Sequence, residues 1–227
     1  MSISKKIHRN SNKKRIQEYL FRFKKPISVT TLKKTGNGDL DPLKHALDLI
    51  YIRGKFLFFA LINEIQRKNA FAAYALLKSF WETTALLGYI VIEADVLIPK
   101  KDFHALLRVT RKLVMGGRKF PSDEMVKNKG AKKEEYTQPN LLTMMDRVDK
   151  YWNNKFKKQG YISNFRSEYD EFVAEAGHPT YLGLHFSGRW SKGKLSLTPD
   201  QRKSWSKLDE YQAENDLAMA ATFLFFF

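Results

Sequence analysis

Residues Asn69–Asp95 read NAFAAYALLKSFWETTALLGYIVIEAD. Wound at 3.6 residues per turn, this stretch is apolar around most of its circumference, which predicts a helix buried on several sides. Lys78 and Glu82 interrupt it four residues apart, one turn along the same face. Charges in such a helix are costly unless they are paired or used. The two therefore mark either an ion pair at a helix seam or a functional site. In the functional reading Glu82 is a general base or orients a catalytic group, and Lys78 neutralises a phosphate.

Helical signals continue on both sides. Asp41-Pro42 supplies a cap and a first-turn proline for a helix from Pro42 to about Lys68, and Asn69 caps the central helix. Pro99 opens a fourth helix that Gly116-Gly117 closes, and Pro139 opens a fifth that stops at Gly160. A sixth runs from Ser163 to Ala176 and ends at Gly177-His178-Pro179. The stretch between residues 118 and 138 is polar and Lys-rich, and reads as a loop. Apolar and polar residues alternate over about 182–198, around Ser191-Lys192-Gly193, which predicts a small hairpin. Thr198-Pro199 then caps a last helix ending in FLFFF. The expected fold is mainly α: an antiparallel helical bundle over 36–227 with one small late β-hairpin. Residues 1–35 form a basic N-terminal helix or arm, with Ile16, Tyr19, Leu20 and Phe23 as an apolar stripe.

The chain of 227 residues carries 40 Lys and Arg against 24 Asp and Glu, a formal charge of +16. Clustered positive charge predicts attraction to polyanions: nucleic acid, anionic lipid or an acidic protein. Cysteine is absent, which excludes disulfides, thiol catalysis and thiolate metal sites and suits a reducing cytoplasm. The N-terminus has no apolar signal region, and charges break the apolar runs before about 18 residues, so integral membrane contact is not expected. The basic face and apolar stripe of the first helix would also suit an anionic lipid surface.

Two segments combine phosphate-binding charge with other useful chemistry. Lys13, Lys14 and Arg15 lie in the basic arm, and Arg189, Trp190, Lys192 and Lys194 lie in the hairpin, where an indole beside cations is a stacking platform for single-stranded nucleic acid. The structural alternative is a solvated hairpin whose Trp packs on the bundle. His178 follows a helix and precedes a proline, so its imidazole either satisfies the helix C-terminus or serves as an acid or base with Tyr169, Glu175 or His185 nearby. No spacing of His and carboxylates suits zinc, and no phosphate-cradling glycine loop is present, so neither metal nor cofactor is expected.

Residues 42–227 resemble the HEPN superfamily of helical proteins. The likeness rests on the Lys78-Ser79-Phe80-Trp81-Glu82 helix followed by Tyr89, on the Tyr169 to His178-Pro179 segment, and on a hairpin before a last helix. It implies a helical bundle, frequent homodimerisation and RNA-directed activity in toxin, antiviral defence or RNA-processing settings. The superfamily's Arg-x4-6-His nuclease motif is missing here. A divergent, metal-independent ribonuclease site would then use His178, Glu82, Lys78 and Tyr169, with the imidazole deprotonating a ribose 2′-hydroxyl. Beside peripheral attachment of the 3–25 helix to anionic lipid, two functional readings remain open. One is an RNA-binding protein, RNA being favoured over DNA, with or without ribonuclease activity. The other is a non-enzymatic assembly or adaptor subunit that docks a protein partner through its apolar C-terminal helix.

Overall fold

Helix dominates the computed structural model, which describes residues 14–23, 41–115, 138–160, 163–173, 189–191, 194–196 and 207–226. Residues 14–23 form α1. α2 spans Asp41–Gln66, α3 Ala70–Leu97, α4 Phe103–Met115 and α5 Leu141–Lys155. α6 joins an α turn, Phe165–Glu168, to a π-helical turn, Tyr169–Val173, and α7 covers Lys207–Phe226. The backbone of β1, Arg189–Ser191, pairs antiparallel with β2, Lys194–Ser196, placing Trp190 opposite Leu195. Lys13, Glu175, His178, His185, Lys192 and residues 118–137 lie outside the described residues, as do the side chains of Arg189, Trp190 and Lys194.

The α2–α3 turn is built by Asn69. Its side chain accepts the Ala72 amide at 3.3 Å and donates to Glu64 at 2.6 Å, while Lys68 takes the left-handed conformation, φ 58°, that ends α2. Phe58 meets Phe80 at 6.0 Å and Arg53 reaches Thr83 at 3.2 Å. The earlier residue of α2 thus meets the later residue of α3, so the two helices run antiparallel. Two helix starts differ from the sequence expectation. α3 overruns its apolar stretch, and α4 begins only at Phe103, where Asp102 accepts the Ala105 amide at 3.0 Å. Asn140, not Pro139, fixes the start of α5 by accepting the Leu142 amide at 2.9 Å. In both cases a side-chain acceptor satisfies an orphan amide, which proline's fixed φ alone does not do.

Two compact units share the chain, and α2 and α3 each contribute to both. The first comprises Met1–Pro26, Arg53–Thr84 and Asn164–Phe226. Its core is aromatic: Phe23, Phe58, Tyr74, Phe80, Trp81 and Phe165 are all fully buried. Phe23 packs on Phe58 at 4.8 Å, which fastens α1 to α2. Each such burial stabilises by roughly 2–3 kcal/mol before conformational entropy is counted. Ala213, Leu217, Ala218, Ala220 and Ala221 of α7 are buried as well.

The second unit comprises Ile27–Ile52 and Ala85–Ser163. Leu87, Ile90, Leu106, Leu113, Met144, Met145, Val148 and Trp152 are buried in it. Arg147 bonds Glu93 at 2.7 Å, Tyr151 donates to Asp95, and Gln138 donates to the Leu113 carbonyl at 3.1 Å. Among the described residues α3 alone is long and apolar enough to cross a membrane, and 56% of its most apolar window is buried within the protein.

Candidate functional site

α3 sets Lys78 and Glu82 one turn apart, both half-buried, and Lys78 has a partner of its own. What stands against Glu82 comes from α6. The Tyr169 hydroxyl donates to Glu82 Oε1 at 3.0 Å, across 87 positions of sequence. Four residues earlier on the same face of α6, Phe165 stacks on Trp81 with centroids 4.4 Å apart and planes 28° apart. Two neighbouring side chains of α6 therefore grip two consecutive residues of α3. The phenol sits where the α turn widens into the π turn, a distortion that re-aims side chains and recurs at functional sites.

Tyr169 is only 4% exposed. Burial, then the Glu82 charge and the hydrogen bond to it, then Asp170, hold its phenol far above the ordinary tyrosine value. The phenol is therefore a proton-bearing donor at neutral pH, not a nucleophile or base. The bond spends a charged acceptor on a neutral donor, an arrangement that fixes the Glu82 carboxylate in place.

A second group of acids lies in the same unit and was not singled out from the sequence. Glu168, next to Tyr169, accepts from Asn164 at 2.8 Å, and its pKa is raised by burial and by Glu171, against that hydrogen bond. Asp216 of α7 is 1% exposed. Its pKa is pushed up to about 8, first by burial and then by the Glu168 charge, while Gln212 and Asn215 act the other way. Gln212 donates to Asp216 Oδ1 at 2.9 Å, whereas Oδ2 has no partner among the described residues. Glu214, also buried, lines a cavity of about 310 Å³ with Ile16 and Leu20 of α1, Ile62 and Ile65 of α2, and Leu217. The signal was present in the sequence: Glu214 and Asp216 precede the uniformly apolar Leu217-Ala218-Met219-Ala220-Ala221. The reasoning that singles out Lys78 and Glu82 applies equally to them.

Among the described residues no group of three or more His, Asp and Glu side chains is arranged to hold a metal ion. Of the expected nucleic-acid residues, Lys14 and Arg15 are exposed on α1, while Tyr19 and Phe23 of the same helix are buried. Arg189 and Lys194 fall on paired backbone in β1 and β2. The structure thus brings Tyr169 to Glu82 and fixes Lys14 and Arg15 on a packed helix. Comparison with known proteins finds no matching family model, no matching curated protein and no matching solved structure.

Proposed function

We propose that this chain is an RNA-binding helical protein. The observation that carries the proposal is α1, which exposes Lys14 and Arg15 while Tyr19 and Phe23 are buried in the first unit. A basic helix already fastened to the body loses little ordering entropy when it meets a phosphate backbone. The net charge of +16 adds long-range attraction for the same partner. The choice of RNA over DNA rests on the HEPN resemblance in the Lys78–Glu82 and His178-Pro179 segments.

Fluorescence anisotropy with a labelled single-stranded RNA, from about 50 to 200 mM salt, tests the proposal. Binding is expected to weaken steeply with salt, and Lys14→Glu/Arg15→Glu is expected to bind less tightly at every concentration. A chain that binds no RNA at the lowest salt refutes it. Cleavage is the finer claim. It would use Glu82 as base and the protonated Tyr169 as donor, with His178 as the further candidate. RNA incubated with the chain in EDTA, beside Glu82→Gln and Tyr169→Phe, tests that claim, and RNA left intact by the wild-type chain removes catalysis while leaving binding in place.

The adaptor reading has its own observation. Phe56 and Phe71, both in the first unit, are 70% and 53% exposed, and large exposed aromatics serve protein contacts. Sedimentation of wild type beside Phe56→Ser/Phe71→Ser tests it, and a monomeric wild type that captures no partner counts against it.

A further inference from the structure

Among the described residues, α4 carries charge that no carboxylate answers. His104, Arg108 and Arg111 follow one another at spacings of four and three, so they share one face of the helix, and all three are exposed. Lys100 and Lys101, also exposed, stand at the turn that leads into this helix. On the other side Leu106, Thr110 and Leu113 are 1%, 4% and 3% exposed, which fixes the rotation of the helix and keeps the cationic face outward. Between residues 98 and 113 the sole acid is Asp102, and its carboxylate is spent on the Ala105 amide. None of Lys100, Lys101, Arg108 and Arg111 has a carboxylate partner among the described residues.

This arrangement works against the helix itself. Arg108 stands three residues from Arg111 and four from Lys112, and like charges at those spacings repel. A bound polyanion removes this penalty. His104 to Arg111 spans about 10 Å along the axis, with neighbours about 5 Å apart, a ladder on which consecutive phosphates can sit. Guanidinium groups offer paired N–H donors to phosphate oxygens.

We propose that α4 is a second RNA-binding element, separate from α1, in which Arg108 and Arg111 neutralise consecutive phosphates of one strand. The proposal rests on the RNA-binding reading and adds an element in the second unit that the sequence reading did not assign. A lipid surface is the weaker partner, because a helix lying in a membrane interface needs its apolar face free, and that face is buried here.

The test is Arg108→Ala/Arg111→Ala in the full chain, read by anisotropy on a labelled single-stranded RNA across a salt series, beside Lys14→Glu/Arg15→Glu. Both arginines are exposed, so an unchanged melting curve is the folding control. Two lost phosphate contacts lower the log–log salt slope by about 1.4 and weaken binding roughly twentyfold near 0.1 M salt. Wild-type affinity and slope in the α4 variant overturn the proposal. If the α1 variant alone weakens, RNA binding stands without α4; if wild type binds no RNA, the parent reading has failed instead. Vesicles of phosphatidylserine and phosphatidylcholine form the second arm. Loss of vesicle binding by the α4 variant, with RNA affinity unchanged, also overturns the proposal and assigns the face to lipid.

Discussion

Replacing Asp216 by Asn separates the cost of a buried charge from the shape of the side chain. Asp216 is almost wholly enclosed, and its pKa is raised from an ordinary 3.8 to about 8. The folded chain thus holds this proton more tightly than the unfolded chain. The contribution to stability is fully present below the unfolded value, near pH 4, and is lost as pH rises toward about 8. Each pH unit in that window removes about 1.4 kcal/mol, so between about pH 5 and 7 wild type loses roughly 2–3 kcal/mol through this group alone. Asn keeps the oxygen that Gln212 bonds and cannot ionise. Urea unfolding of both chains at about pH 5, 6, 7 and 8 measures the difference, and subtracting the two cancels the titration of the other groups. Asp216→Asn is expected to gain on wild type from pH 5 upward by about 1.4 kcal/mol per pH unit, levelling off as pH passes about 8. A difference that stays constant across the series refutes the reasoning, because the carboxyl would then titrate alike in both states.

Three further outcomes are expected. Tyr169→Phe removes the donor to Glu82 and lowers stability by about 1–3 kcal/mol; urea unfolding in a Glu82→Gln background shows a smaller loss if the bond is the cause. Phe165→Ala empties a fully buried site against Trp81 and costs about 3–5 kcal/mol by the same measurement. Asn140→Ala, at an exposed N-cap, costs only about 1 kcal/mol in thermal or urea unfolding and leaves the rest of the fold intact.

The central helix was legible in the sequence because its burial is not confined to one stripe: Thr83, Thr84, Ala85, Leu87 and Ile90 spread over more than half of its circumference, and all are buried. Asn69 was legible as its cap because capping is a local act of one side chain on the next turn. Pro99 misled for a related reason. Proline marks where a helix can begin, but the amide of Ala105 found its acceptor in Asp102, so the start moved to Phe103. The site was legible only in halves. Glu82 stood out as a charge in an apolar helix and Tyr169 as part of a tyrosine-bearing segment, but their bond joins positions far apart in the chain, and local pattern carries no record of such a partner. Asp216 escaped because α7 was read through its apolar end, although the same test of a charge amid apolar neighbours would have found it.

Lys68 and Lys101 hold left-handed backbone, with φ of 58° and 56°, at the two turns that flank α3. Ordinary side chains there add steric energy of roughly 1–2 kcal/mol that a hydrogen in place of the β-carbon would relieve. Lys68→Gly and Lys101→Gly should therefore raise the melting temperature while each removes one ammonium from the surface. In this chain those two corners keep a cation where the backbone would relax around glycine, so engineering for heat resistance would trade directly against the protein's positive field.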